Sequence, residues 1–170
     1  MKNDQFEQLY AEHAEPLLRF LIYRTGNRAT AEEVLADTFE RVLRSRSRFN
    51  PKRGKVKTWI YSIALNRLRD LHRRSEAEER ALRKSEAGTP EGVADIDRVE
   101  ERSTVAGALA QLDELEREAV SLRYGADLSV AEVAQTLGVK VSTAEGRIYR
   151  GLRNLKGLLE PVGDQPRQGE

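Results

Sequence analysis

The sequence predicts an all-α protein of two small helical domains joined by a flexible linker. Apolar residues recur at the three- and four-residue spacing of amphipathic helices, and helix-start signals precede most of these segments. Between the two groups of helices, residues 75–103 lack aromatic side chains and combine glycine, proline and acids, as linkers do. We therefore expect domains at residues 1–74 and 104–157 and a disordered tail at 158–170.

The N-terminal domain is predicted to contain three helices. Apolar residues from Phe6 to Leu21 follow a helical period and form the first helix. The capping box "TAEE", beginning at Thr30, is expected to open the second helix. The stretch "SRFNPKRGK" contains Asn-Pro and glycine and is predicted to be a loop. The segment "TWIYSIALNRLRDLHRR" forms the third helix, over residues 58–74.

The C-terminal domain is predicted to contain four helices, over residues 105–112, 113–124, 129–137 and 142–156. The capping boxes "DELE", "SVAE" and "STAE" open the last three, and Gly138 makes the turn before the final helix. The last two helices and their short turn have the form of a helix-turn-helix. In that motif the second helix enters the major groove of DNA.

Charge is strongly segregated although the formal net charge is only +1. Residues 1–40 carry four basic and eight acidic side chains, whereas residues 41–74 carry twelve basic side chains and one acid, Asp70. A second basic cluster lies on the final helix, where Glu145 is the only acid between residues 140 and 156. Such basic segments are typical of proteins that bind a polyanion.

The final helix has an apolar side and a polar side. Ala144, Ile148, Leu152 and Leu155 share the first, while Thr143, Gly146, Arg147, Arg150, Arg153 and Asn154 share the second. Arginine can bond base edges and phosphates in the major groove. DNA binding is the favoured interpretation, and a solvated basic face on an ordinary helical hairpin is the alternative.

Trp59 lies off the apolar side of the third helix, near Asn66. An aromatic ring stacks on any unpaired base and an asparagine can bond a base edge, so these residues suit unstacked bases. The alternative is that Trp59 packs beneath the basic loop.

These segments together resemble an extracytoplasmic-function (ECF) sigma factor of bacterial RNA polymerase, in the sigma-70 family. The resemblance is carried by "AEEVLADTFERVL", "RFNPKRGKVKTWIYSIALNRLRDLHRR" and the C-terminal helix-turn-helix, and it spans nearly the whole chain. It implies a region 2 domain at 1–74, a region 4 domain at 104–157, and promoter-specific transcription initiation with core RNA polymerase as partner.

The resemblance also implies site residues. The surface that grips the β′ clamp helices corresponds to Glu33, Asp37, Glu40 and Arg41. The −10 DNA-binding residues correspond to Phe49, Asn50, Lys55, Lys57, Trp59, Asn66, Arg67 and Arg73. The −35 DNA-binding residues correspond to Thr143, Glu145, Gly146, Arg147, Tyr149, Arg150 and Arg153, in a domain that docks on the β flap. An anti-sigma factor is a further expected partner.

Composition restricts other functions. The chain has no cysteine and two histidines, so no metal site or cofactor is expected. No apolar run approaches a membrane span, and we expect a cytoplasmic protein that is nucleoid-associated when active. A stand-alone helix-turn-helix regulator is the alternative function. An enzyme using Glu32, Glu33 and Asp37 with His13 is disfavoured, because acids in a first helical turn ordinarily meet the helix dipole.

Overall fold

The computed structural model describes residues 3–85 and 104–160. Within these ranges the chain forms seven α-helices: α1 (Asn3–Thr25), α2 (Arg28–Ser45), α3 (Val56–Ser85), α4 (Thr104–Ala110), α5 (Glu114–Val120), α6 (Val130–Leu137) and α7 (Val141–Leu159). Two 3-10 turns, Arg46–Arg48 and Pro51–Arg53, lie between α2 and α3, and a π-turn, Ser121–Gly125, follows α5. The prediction of an all-α fold with two domains is confirmed.

Helices α1 to α3 form the N-terminal bundle, with α2 packed against both other helices. Its core contains Leu17 and Leu21, which the helical period of the first helix predicted, together with Val34 of α2, and each of the three is fully buried. The second helix begins earlier than predicted. Gly26 has a φ of +63° and ends α1, and the Asn27 side chain accepts a hydrogen bond from the backbone N–H of Thr30 at 3.1 Å. Asn27 therefore caps α2, and the predicted capping box at Thr30 is wrong.

Helix α3 is longer than predicted. It continues from Val56 to Ser85, so residues 75–85, assigned to the linker from sequence, are helical. Side-chain pairs one turn apart, such as Arg83 with Glu79 at 3.3 Å, support this extension. The remainder of the predicted linker, residues 86–103, and residues 161–170 of the predicted tail lie outside the described residues. The predicted start of the tail is wrong, because residues 158–159 belong to α7.

The starts of the C-terminal helices follow the predicted signals unequally. Ser129 and Glu132 form a complete capping box at α6, as predicted. Asp113 caps α5 by accepting from the backbone N–H of Leu115, but the predicted box "DELE" is wrong in its last member, because Glu116 accepts from Asn154 of α7. Helix α7 instead begins at Val141, with Lys140 as a cap residue that makes no side-chain cap bond. The predicted capping box "STAE" is therefore wrong, because Ser142 already lies inside the helix.

The two domains are in contact. Helix α3 packs along α6, and the π-turn after α5 touches α1. The buried apolar side chains of the N-terminal bundle continue into those of the C-terminal domain, including Leu122, Leu128 and Val133. The C-terminal domain therefore packs against α1 and α3 of the N-terminal bundle.

His13 is buried in α1, and this burial lowers the pKa of its imidazole below the ordinary value. Lys57 lowers the pKa further and Glu12 opposes the shift. The folded state then favours neutral histidine, whereas the unfolded chain takes up a proton near pH 6.5. The free energy of unfolding is expected to fall as the pH drops below about 6.5. In urea unfolding at pH 7.5 and 5.5, wild type should lose more stability than His13→Leu; equal losses would contradict this.

Candidate nucleic-acid interface

The basic loop between α2 and α3 folds around a pocket. Asn50 shapes the loop by accepting a hydrogen bond from the backbone N–H of Lys52 at 3.0 Å. Thr58 anchors the start of α3 by donating to the Lys55 carbonyl at 2.7 Å. The resulting cavity of about 300 Å³, hereafter the loop pocket, is lined by Arg48, Phe49, Asn50, Gly54, Lys55, Thr58, Trp59, Ser62 and Gln135.

Trp59 takes part in both of the arrangements considered from sequence. Its ring lies 4.9 Å from the ring of Phe49, centroid to centroid, with an angle of 30° between the planes. It also packs against the bundle core and is half-buried. The indole therefore supports the loop from beneath while it forms part of the pocket wall. A base entering the loop pocket would meet an aromatic surface made of two rings.

The structure brings together four of the predicted −10 residues, namely Phe49, Asn50, Lys55 and Trp59, as walls of the loop pocket. Asn66 lies on α3 one turn beyond Ser62 and is exposed. Its Oδ1 accepts a hydrogen bond from Arg69 Nη1 at 3.3 Å. The asparagine is thus on the same helix as the pocket, outside its lining.

The other three predicted −10 residues have different surroundings. Arg67 is buried, with its Nε 2.6 Å from Asp37 Oδ2 and its Nη2 3.5 Å from Glu33 Oε1. It therefore joins α3 to α2 rather than facing the pocket. Arg73 is exposed and pairs with Asp70 in the same helix. Lys57 is half-buried and influences the pKa of His13.

The predicted polymerase-binding residues lie along the outer side of α2. Glu33 and Glu40 are exposed, and Glu40 pairs with Arg44 at 2.5 Å. Arg41 is also exposed. Asp37 is half-buried because it faces Arg67. A substitution of Asp37 would consequently disturb the α2–α3 contact as well as any partner surface. A substitution of the exposed Arg41 would test the partner surface alone.

The predicted −35 residues form a solvent-facing side of α7. Thr143, Glu145, Tyr149, Arg150 and Arg153 are exposed, and Gly146 and Arg147 are half-buried. Tyr149 is 69% exposed and projects into solvent from this side. On the opposite side, Ala144, Ile148, Gly151 and Leu155 are buried. Leu152, predicted to lie in the core, is 38% exposed.

Helix α5 contacts the solvent-facing side of α7 through one buried carboxylate. Buried Glu116 accepts a hydrogen bond from Asn154 Nδ2 at 2.8 Å and lies 3.6 Å from Arg150 Nε. The contact of Glu116 with α7 was not predicted, because the sequence assigned Glu116 to the capping box "DELE" at the start of α5. Sequence reasoning also missed the pocket residues Thr58, Ser62 and Gln135; Gln135 is 77 residues from Thr58 in the chain and no local pattern connects them.

The carboxylates considered for an enzymatic role are engaged in ion pairs. Glu32 pairs with Arg28, while Glu33 and Asp37 face Arg67. Among the described residues, no group of three or more histidine, aspartate or glutamate side chains is placed to hold a metal ion. A search of the same residues finds no helix with the length and apolar character needed to cross a membrane.

The two halves of the chain match two parts of one family. Residues 9–78 match Sigma-70 region 2, and residues 103–155 match Sigma-70, region 4. These segments coincide with the N-terminal bundle and with the C-terminal helices. The region 2 match excludes the stand-alone regulator, since that alternative accounted for the C-terminal domain alone.

Individual proteins match over almost the full length. The chain is 34% identical to the RNA polymerase sigma factor CarQ of Myxococcus xanthus over 157 residues, covering 92% of this chain and 90% of CarQ. It is 28% identical to the ECF RNA polymerase sigma factor SigL of Mycobacterium tuberculosis, also over 157 residues, covering 91% of this chain and 89% of SigL.

Among solved structures, CnrH in complex with the cytosolic domain of CnrY has a TM-score of 0.71 and 27% identity, covering 93% of this chain and 89% of CnrH. Both domains and the fold of nearly the whole chain are therefore accounted for by one group of proteins. The chain belongs to the ECF sigma factors of the sigma-70 family, which bind core RNA polymerase and direct it to promoters.

Proposed function

We propose that the loop pocket captures an unpaired base of the −10 element and that the exposed side of α7 reads the −35 element. The observation that carries this proposal is the position of Phe49, Trp59 and Lys55 around one cavity on the basic loop. Aromatic faces stack bases and a lysine holds the neighbouring phosphate. Asn66, exposed on the same helix, supplies amide groups for a base edge.

The −35 assignment rests on the exposed polar side of α7. Arg147, Arg150 and Arg153 offer guanidinium groups for phosphates and guanine edges, and Tyr149 projects beside them. Because α7 begins at Val141 without a side-chain cap, Glu145 is not needed to cap the helix and is exposed. A carboxylate at this position favours contact with the amino group of cytosine over contact with phosphate.

Polymerase binding is assigned to the outer side of α2. Glu33, Glu40 and Arg41 present charges of both signs there. The C-terminal domain is assigned to the β flap while α7 contacts DNA. By analogy with CnrH, whose structure was solved with CnrY, a protein partner of the anti-sigma class is also proposed.

The two DNA contacts act at different stages of initiation. Helix α7 reads duplex DNA by phosphate contacts and major-groove bonds, whereas the loop pocket accepts a base only after the base leaves the stack. Binding at the pocket therefore favours the melted promoter over the closed one. The polymerase carries out all covalent chemistry, so this chain acts without catalysis of its own, in the cytoplasm and on nucleoid DNA.

The Asn66→Ala substitution tests the −10 assignment. We expect core-polymerase binding to be unchanged, because Asn66 is an exposed residue of α3 whereas the proposed polymerase contact is on α2. We expect open-complex formation to fall roughly tenfold, as loss of one good base contact costs about 1–3 kcal/mol. Co-elution on a sizing column measures the first, and permanganate reactivity of promoter thymines measures the second.

His72→Ala serves as the matched control, since His72 is exposed on the same helix outside the loop pocket. Its open-complex level should equal that of wild type. Permanganate reactivity in Asn66→Ala that matched the control would show that Asn66 does not read the melted strand.

A further inference from the structure

The C-terminal domain contributes one residue to the wall of the loop pocket. Gln135 of α6 forms part of the pocket wall, and its Oε1 lies 3.4 Å from Thr58 Oγ1. A Cβ atom added at Gly54 would come within 2.1 Å of Gln135 Nε2, so the amide occupies the space beside this glycine. The cavity assigned to a −10 base thus already holds an amide group from the same chain.

Ion pairs join the two domains around this contact. Arg24 Nη2 lies 2.7 Å from Glu114 Oε1, and Lys55 Nζ lies 2.9 Å from Glu132 Oε1. Arg69 donates two hydrogen bonds to Glu118, at 2.6 and 2.5 Å, and the Glu118 side chain is 1% exposed. In each pair the cation belongs to the N-terminal domain and the carboxylate to the C-terminal domain. Glu118 and Glu132 thus neutralise part of the basic segment that follows α2, whereas Glu114 pairs with an arginine of α1.

Two of these pairs affect residues that are assigned to the −10 strand: one contains Lys55, and the other contains Arg69, which contacts Asn66. Lys55, placed to hold a phosphate, faces a carboxylate of α6. Arg69, held by Glu118 of α5, also donates to Asn66 Oδ1 and occupies one acceptor of the base-reading amide. A single strand could not use these groups fully while α5 and α6 remain in place.

We propose that α5 and α6 are an intramolecular substitute for the −10 strand, with Glu118 and Glu132 in place of phosphates and the Gln135 amide in place of a base. In the free protein, α5 and α6 then compete with single-stranded DNA for the loop pocket and the basic residues around it. Promoter DNA must displace α6 before the loop pocket can close on a base. This inference rests on the assignment of the loop pocket to the −10 strand.

The chemistry of the Lys55–Glu132 pair makes salt, rather than pH, the relevant variable. The hydrogen bond from Lys55 is the largest cause that lowers the pKa of Glu132 to about 2, followed by the backbone N–H of Ser129. The carboxyl pKa is below its ordinary value of 4.5, so the pair stabilises the closed form fully above that pH. The stabilisation is lost only as the pH falls towards 2. Salt, in contrast, screens the Lys55–Glu132 pair, whose lysine is exposed, and screens the more buried Arg69–Glu118 and Arg24–Glu114 pairs less.

The test compares the closed and opened forms of the full chain. Because the sequence has no cysteine, Ala11→Cys and Ala131→Cys provide unique positions for a fluorescent donor and acceptor, one on each domain. The opened form is the Glu118→Gln, Glu132→Gln double variant. Glutamine at 132 retains the acceptor needed by the α6 capping box while it removes the charge.

The matched control is Glu79→Gln, Glu160→Gln. It removes two negative charges as well, from exposed residues that pair with Arg83 in α3 and with Lys156 at the end of α7. Non-specific attraction to DNA therefore rises equally in both double variants. Binding is measured by anisotropy of a fluorescein-labelled 20-nucleotide single strand of random sequence, and circular dichroism checks folding. If Glu118→Gln prevents folding, Glu132→Gln with Glu160→Gln as control replaces the pair.

We expect energy transfer to fall in the opened variant and strand affinity to rise roughly tenfold above the control, because the competing form is depopulated. Adding the strand to wild type should also lower energy transfer. Unchanged transfer in the opened variant, or reduced transfer without a gain in affinity over the control, would overturn the proposal. If the opened variant separates its domains but binds the strand no better than a Trp59→Ala derivative, the loop pocket is not the −10 site, and the competition is overturned together with that assignment.

Discussion

Gly151→Ala is expected to destabilise the C-terminal domain by about 1–3 kcal/mol, the usual cost of overpacking a core. Gly151 is buried where α7 crosses α5, and a Cβ atom there would lie 2.6 Å from Val120 Cγ2 and 3.4 Å from the Glu116 backbone oxygen. Val120 is itself buried, so it cannot simply move into solvent. Urea unfolding followed by circular dichroism measures the loss, and duplex binding at the −35 element should decrease with it.

Gly157→Ala, in the same helix, is the control for this prediction. No atom lies within 4 Å of the Cβ that it would add, and the residue is exposed. Alanine is favoured over glycine in a helix by roughly 0.5–1 kcal/mol, so this variant should be slightly more stable than wild type. Similar midpoints for the two variants would show that α5 and α7 are not in close contact at Gly151.

Tyr61→Ala is expected to cost about 3–5 kcal/mol and to unfold much of the N-terminal domain, as large-to-small core changes of aromatic residues do. Tyr61 is 2% exposed, and its ring meets that of Phe20 edge-on at 5.1 Å. Burial raises the pKa of its hydroxyl to about 12. Polymerase binding and open-complex formation should both be lost, and thermal unfolding should show a lowered midpoint.

Trp59→Ala provides the comparison, since Trp59 is on the same helix but only half-buried. We expect a smaller loss of stability, retained polymerase binding and a clear defect in open-complex formation. Comparison of the two variants thus distinguishes the effect of disrupting the core from the effect of altering the loop pocket. Loss of polymerase binding in a folded Trp59→Ala protein would place Trp59 in the polymerase contact instead.

The sequence was most informative where structure depends on nearby residues. The helical period correctly predicted buried Leu17, Ala144 and Ile148, because the burial of a helix face follows directly from spacing. The cap of α2 was missed because both Asn27 and Thr30 are good caps, and the choice depends on where Gly26 ends α1. The extension of α3 beyond residue 74 was missed because charged residues stabilise an exposed helix without an apolar pattern.

The candidate site followed the same rule: contacts between residues close in the chain were predictable, and contacts between distant residues were not. The loop residues Phe49 and Lys55 lie near Trp59 in the chain, so their assembly follows from a single turn. Arg67 is one of the twelve basic residues between 41 and 74, and nothing in the sequence distinguishes it from the others, yet it is buried against Asp37 of another helix. Charge and spacing cannot distinguish an arginine that pairs with a carboxylate from one that meets phosphate. Gln135 was beyond prediction, because its place in the pocket depends on how two domains meet.

The two faces assigned to DNA differ in accessibility, and this sets an order in time. Tyr149 and its neighbours on α7 are open to solvent, whereas the loop pocket contains Gln135. With the DNA contacts proposed above, the protein would inspect upstream duplex continuously but commit to a start site only after strand separation. Promoter scanning would then be reversible, and melting would be the step at which a wrong sequence is rejected.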